Sequence, residues 1–424
     1  MADRGLDHRS RPVVVVTGMG VLTSLGEGIE DNWTRLTAGQ SGIRRITRFP
    51  LRAMKTTIAG TIDFIPMEQF NAPALIEEIG ARTAEEALGA AGIGRKGDFP
   101  GPLFLAIPPI EIDWGVRRAL VRAAGGGTTY ADLLRAAGNG GFRACYERHL
   151  FGAIAEAYAV RFGTKGAPIT TTTACASGAT AIQLGAEAIR RGETSAALCI
   201  GAEASVTEET LIRFSLLSAL STHNDPPEKA SRPFSKDRDG FVMAEGAATL
   251  VLESLAHARA RGARILGVVA GCGEKGDSFH RTRTSPDGKP MIDCMAAAIA
   301  DAGLTPDQVD YLNAHGTSTP ENDKMEWLAI EAVFGDRAPR LPVSSNKSMI
   351  GHTVSAAGAI EAVFSFLTML RGRIPPTVNY DLPDPAIPID CVPNVARDAL
   401  VRHTLSNSFG FGGQNVSLLL SAPP

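Results

Sequence analysis

The sequence predicts an α/β fold, and three observations carry that reading. Val13-Val14-Val15-Val16 is a β-branched run without polar alternation, the pattern of a strand covered on both faces. Residues 177–191 place Ala179, Ile182, Ala186 and Ile189 at helical spacing just before another apolar run at 196–201, which makes a strand-helix-strand unit. Glycines (45) and prolines (26) fall between such segments instead of pooling into a linker.

Taken in order, the first strand is expected over residues 12–18. The helix of 177–191 ends in Arg190-Arg191-Gly192, where cations suit the negative helix end and glycine suits a left-handed cap. Strands follow at 196–201 and 247–252. From about residue 264 the series restarts, with a strand at 265–271, a helix at 291–302, a strand at 309–313 and a helix after Asp323. The repeated order predicts two related halves, residues 12–262 and 263–424, behind a polar stretch of residues 1–11. The absence of a low-complexity linker predicts one extensive interface between them. With 424 residues there is room for two core-bearing units.

Composition narrows the function. Hydrophobic residues make up 44% and charged residues 21%, as in globular proteins. The 42 basic and 45 acidic residues nearly cancel, so no global field draws the chain to nucleic acid or anionic membrane. Nothing reaches about 18 uninterrupted apolar residues, so no membrane span is expected. Met1 to Arg11 is polar, with no apolar signal segment behind it. Six scattered cysteines without a C-x-x-C pair argue against disulfides and against zinc, and suit a reducing cytoplasm.

Two glycine patterns mislead. Gly18-x-Gly20 after the first strand opens like a dinucleotide fingerprint, but Thr23 stands at the third glycine position, and the two glycines are assigned to a tight turn. Gly410-Phe411-Gly412-Gly413 lacks the Lys-Ser/Thr of a phosphate loop. Of eight histidines, His8, His149, His223, His257, His280 and His403 sit in surroundings that suit surface or structural roles.

The chemistry gathers elsewhere. Cys175 lies in Thr173-Ala174-Cys175-Ala176-Ser177-Gly178, at a strand-to-helix turn where free N–H groups and the helix dipole are expected to favour its thiolate. His315 follows a predicted strand in Asn313-Ala314-His315-Gly316-Thr317-Ser318-Thr319, and His352 opens an apolar helix five residues after Lys347. Asn407-Ser408-Phe409-Gly410-Phe411-Gly412-Gly413 alternates rings with glycines, so backbone can approach a ligand between two aromatic walls. One nucleophile, two imidazoles, a lysine and a glycine-rich segment suit acyl transfer through a thioester, with backbone N–H donors holding each oxyanion. Two neutral imidazole donors point beyond hydrolysis to an enolate and carbon–carbon bond formation. Cys175, His315 and His352 lack the short ligand spacing of a metal site.

These residues resemble those of the β-ketoacyl-acyl carrier protein synthases, the elongating condensing enzymes of the thiolase superfamily, closest to the synthase I/II group. The likeness runs in order through residues 14–20, 173–178, Ser231-Arg232-Pro233-Phe234, Asp239-Gly240-Phe241, 313–319, 347–358 and 407–413. It implies a thiolase-like five-layered α-β-α-β-α fold of two related halves. It implies Cys175 as the acylated nucleophile, His315 and His352 as the pair that promotes malonyl decarboxylation, and Lys347 as their charged supporter with Glu361 as its partner. The N–H groups of Cys175 and Phe411 become the oxyanion hole and Phe411 the gate, with Phe409 and Asn407 in support, and Thr317 and Thr319 bind the pantetheine arm. No cofactor and no metal are implied. The partners implied are an acyl carrier protein and a second subunit, identical or related.

Two departures stand out. Residues 107–149, which in relatives shape the acyl pocket floor and the dimer contact, do not follow the family pattern. Residues 72–88 are richer in glutamate than in cation where relatives carry a basic stretch, so docking of an acidic carrier is expected to use other residues. A non-catalytic chain-length subunit and a thiolase-like or chalcone-synthase-like enzyme are the competing readings. The first would lose Cys175; the others would show a second catalytic cysteine near the C-terminus, or asparagine for one histidine.

Overall fold

The computed structural model describes residues 5–424 except 52, 53, 69, 113 and 128, so residues 1–4 of the expected polar stretch, and 113 and 128 of the divergent segment, lie outside the described residues. The first half contributes strands β1 (Val14–Thr23), β2 (Leu103–Ala106), β3 (Ile169–Thr171), β4 (Ala196–Glu203) and β5 (Gly246–Ser254), paired in the order β3-β2-β4-β5-β1. The second contributes β6 (Gly267–Gly276), β7 (Tyr311–Asn313), β8 (Val343–Ser344), β9 (His403–Phe409) and β10 (Gln414–Ser421), in the order β8-β7-β9-β10-β6. Both orders read third, second, fourth, fifth, first. The directions agree as well, with the first two pairings of each series parallel and the last two antiparallel. What repeats is topology, which weak sequence repetition conceals. β1 and β6 meet antiparallel at Val15–Val268 and Val16–Gly267 and join the two sheets.

Helices complete five layers. α1 (Ala72–Ala91) covers β1 and β5 from outside, while α4 (Lys289–Asp301) covers β6 and β10 and carries α5 (Pro320–Phe334) beside it. The middle layer is α2 (Ser177–Arg190) against α6 (Ala357–Arg371), each touching strands of both sheets. α3 (Glu208–Leu216) stands outside the layers. Residues 354–371 have the length and apolarity of a membrane span, but they are buried between the sheets and form a core helix.

The starts of α5 and α1 follow from local chemistry. Thr319 accepts a hydrogen bond from the Asn322 N–H and Pro320 occupies the first turn, so α5 begins earlier than its apolar spacing predicts. Asn71 caps α1 in the same way. The expected turn at Gly18 and Gly20 is absent: β1 continues through both, with a shift of register between Val16 and Gly18. A Cβ at either would come within 2.1 Å of a carbonyl oxygen of α1, Ala87 or Thr83. These glycines let helix and strand touch.

The two central helices also meet backbone to backbone. A Cβ on Gly178 would lie 2.6 Å from the Ala359 amide nitrogen, and one on Gly358 would lie 2.6 Å from that of Ala179. The crossing is reciprocal, with each glycine at the start of its own half's central helix. We expect Gly178→Ala to cost about 1–3 kcal/mol in chemical denaturation, the usual penalty for overpacking. Gly152→Ala, at a position with open space around it, should leave the denaturation midpoint in place.

Candidate active site

The loop after β3 brings Cys175 to the first turn of α2, and the segment after β8 brings His352 toward the first turn of α6. The two residues thus occupy corresponding places in the two halves, and the Gly178–Gly358 crossing draws them together. Cys175 Sγ and His352 Nε2 are 3.1 Å apart. Just before the nucleophile, Ala174 adopts φ +49°, a strained conformation for a residue with a Cβ, which turns Cys175 out of the strand direction. His315 follows β7, and its ring meets that of His352 edge to face at 5.2 Å. The ligand atoms of Cys175, His315 and His352 lie within 4.8 Å of one another.

Hydrogen bonds fix which imidazole nitrogen carries the proton. The Val354 N–H donates to Nδ1 of His352 at 3.2 Å, so Nδ1 is an acceptor and Nε2 keeps the proton, facing the sulfur. Lys347 Nζ stands 3.5 Å from Nδ1 of His315 and gives that ring the same tautomer. Burial, reinforced by the Lys347 cation, holds both histidines well below their ordinary range, so both are neutral donors. Two protonated Nε2 atoms beside a buried ammonium make a poor cation site, although three donor side chains converge there.

Lys347 is itself buried, paired with Glu361 on α6, whose side chain is also buried. Burial pushes the Glu361 carboxyl up, and the Lys347 charge opposes that rise. Glu361 was expected as this partner. Glu326 on α5 was not: it accepts the His315 and Gly316 N–H groups at 2.8 and 2.7 Å and binds Asn407, so it clamps the histidine loop. A glutamate on the buried, apolar face of α5 was its only sequence signal. Glu203, at the end of β4, accepts the Ser205 and Ser355 N–H groups and joins the two loops beneath the nucleophile.

The expected thiolate is not favoured in the resting site. Burial pushes the Cys175 thiol up to about 11, opposed by the N–H of Phe411, the Lys347 charge and the residue's own N–H. The helix-start argument is overridden because α2 begins inside the core, where an uncompensated anion costs more than the dipole returns.

Most of the remaining expected residues line two cavities. One, of about 430 Å³, is lined by Cys175, His315, His352, Thr317, Thr319 and Phe409. The other, of about 830 Å³, is lined by Phe49, Phe70, Ile76, Trp114, Phe214 and Met243. Phe411 borders both. Gly412 and Gly413 on its C-terminal side take φ +87° and +83°. Phe409 packs against the His315 ring at 6.1 Å. Asn407 is buried behind the site, holding Glu326 and Ser417 rather than facing a cavity. Thr317 and Thr319 hydrogen-bond each other at 2.8 Å on the cavity wall.

Comparison with known proteins agrees with this geometry. The N-terminal domain of the β-ketoacyl synthases matches residues 11–88 and 116–258, and the C-terminal domain matches 266–381. The match resumes at 116, so of the segment 107–149 only residues 107–115 fall in its gap. The chain is 38% identical over 425 residues to a 3-oxoacyl-[acyl-carrier-protein] synthase 2 of Coxiella burnetii, covering 96% of this chain and 98% of the relative. It is 36% identical to the tetracenomycin polyketide synthase ketoacyl synthase alpha subunit of Streptomyces glaucescens, covering 97% of each. A chain in the solved complex of a type II polyketide synthase acyl-carrier protein with its ketosynthase superimposes with TM-score 0.86 at 31% identity, covering 97% of this chain and 100% of that one.

The environment of the sulfur predicts its titration. Alkylation of Cys175 by iodoacetamide, read by mass spectrometry, should keep accelerating above pH 9. Lys347→Met, which removes a charge that lowers the thiol, should move the midpoint up, and Glu203→Gln, which removes one that raises it, should move it down.

Proposed function

We propose that this chain, which belongs to the β-ketoacyl synthase family, stores an acyl group as a thioester on Cys175 and condenses it with malonyl-carrier protein by decarboxylation. It is an acyltransferase of the 3-oxoacyl-acyl carrier protein synthase class. The observation that carries the residue assignment is the convergence of one thiol and two neutral imidazoles, each with its proton on Nε2.

In the first step the Cys175 thiol loses its proton and attacks the acyl thioester of the carrier. The oxyanion that forms is met by the N–H groups of Cys175 and Phe411, both of which face the sulfur. One such donor is worth about 3 kcal/mol in the transition state. The carrier thiol leaves with a proton, and the chain lies on Cys175. Malonyl thioester then enters the cavity bordered by Thr317 and Thr319. Loss of carbon dioxide leaves an enolate, whose oxygen accepts hydrogen bonds from His315 and His352. Its carbon attacks the Cys175 thioester, expelling the thiolate and forming the β-keto product. Since decarboxylation creates the carbanion, no strong base is required and neutral imidazoles suffice.

Lys347, held by Glu361, keeps His315 in the tautomer that donates from Nε2. Phe411, bordering both cavities, is the gate between acyl storage and malonyl entry, and its glycine neighbours supply the backbone freedom. The division at residues 12–262 and 263–424 belongs to this reading, with the thiol on one half and both imidazoles on the other. The cytoplasm is its proposed location, and elongation of a fatty acid or related lipid its role. The chain-length-subunit reading is the weaker one, because Cys175 is present with both donors assembled around it.

Cys175→Ala should abolish elongation, whereas Cys175→Gln should abolish acylation and keep malonyl decarboxylation, both measured by mass spectrometry and carbon dioxide release. His315→Ala and His352→Ala should each impair decarboxylation more than acylation. Full elongation by either cysteine variant, or equal loss of both steps in both histidine variants, contradicts the assignment.

A further inference from the structure

We infer that the carrier protein docks on the loop of residues 277–285, through Phe279, Arg281 and Arg283, and not on α1. This rests on the carrier-dependent reading above. α1 holds one arginine and four glutamates. Its Arg82 is already bound by Glu78 and Glu27. Glu77 and Glu85 are exposed. An acidic partner meets no free cation on that helix.

The loop after β6 is the opposite case. Its rim residues His280, Thr282, Arg283 and Thr284 line the cavity that ends at Cys175, beside Thr317 and Thr319. Arg281 and Arg283 are exposed and, among the described residues, neither guanidinium has an ion pair or hydrogen bond. Phe279, between buried Asp277 and these arginines, is 55% exposed. Across the same mouth Leu217 lines the cavity and neighbouring Leu216 is 80% exposed. An apolar anchor flanked by unpaired cations at the entrance fits an acidic, partly apolar protein surface, since rim charge steers encounter and buried aromatics anchor it.

The loop is also built to hold these side chains in place. Asp277 accepts the Ser285 and Phe279 N–H groups at 2.8 and 2.9 Å. The Arg281 carbonyl accepts the Gly412 N–H at 2.8 Å, which ties the loop to the glycine segment at the cavity mouth.

The test follows acyl transfer to Cys175 by intact-mass spectrometry in the wild type and in Arg281→Glu with Arg283→Glu. Donors are acyl-carrier protein, acyl-phosphopantetheine and acyl-N-acetylcysteamine, each at low and high salt. The double variant should raise KM for the carrier at least tenfold, lose most of its salt dependence, and keep its rate with both small donors. Glu77→Lys should change KM for the carrier less than twofold. An unchanged carrier KM in the double variant, or a tenfold gain from Glu77→Lys, overturns the docking surface. Equal loss with acyl-phosphopantetheine also overturns it, since the arginines would then hold only the arm's phosphate. If the wild type accepts from small donors and from no carrier, the carrier-dependent reading itself falls.

Discussion

The close crossing of α2 and α6 at Gly178 and Gly358 sets the geometry of the candidate site. The first half brings Cys175 and the second brings His352, with His315, to the ends of the two central helices. Because both contact positions are glycine, the helices approach until a Cβ on either would overlap backbone, and the thiol and imidazole come to 3.1 Å. Ordinary side chains at the crossing would keep the helices farther apart. The site is thus a product of internal symmetry that the chemistry then breaks, with sulfur on one side and nitrogen on the other.

A second constraint is the cost of charge in that interior. Lys347 and Glu361 are paired in the core, a poor source of stability and a strong source of orientation. The ammonium keeps a proton off Nδ1 of His315 and lowers the affinity of both imidazoles for a second proton. The same burial raises the thiol. The thiol and both imidazoles are thereby held neutral, with the N–H groups of Cys175 and Phe411 facing the sulfur. Glu326 and Glu203 each brace loops from outside through backbone N–H groups.

Phe411 separates two spaces of different character. The smaller holds Cys175, both histidines, Thr317 and Thr319, while the larger, with a greater apolar share, has Phe49, Phe70, Ile76, Trp114 and Met243 among charged side chains such as Arg48 and Glu208. The larger also reaches Pro108, Ile110, Glu111 and Trp114, all within the stretch that the family match omits. Arg213 of α3 is ion-paired with Glu111 and Glu209 of α3 with Arg117, so this divergent stretch is fastened to the wall helix. Residues 89–115, which the family match omits, thus contribute to the wall of the larger cavity.

The sequence by itself determined the class of the fold, half of its strands, and the singling out of Cys175, His315, His352 and Lys347 as candidates, because local motifs and periodicity follow from neighbours along the chain, whereas Glu361 and Phe411 entered through the family resemblance. Only tertiary structure decided the rest. That Gly18 and Gly20 serve contact rather than a turn depends on α1, some sixty residues away. Glu326 also binds Asn407 and Glu203 also binds Ser355, both distant in sequence, and the proton position on His315 depends on Lys347. The thiol's resting state reversed the local expectation, since a helix start favours an anion only where water or partners share its charge, and here α2 begins in the core. Patterns of residue type can name the reacting groups. Their distances, tautomers and charge states come from how the two halves pack.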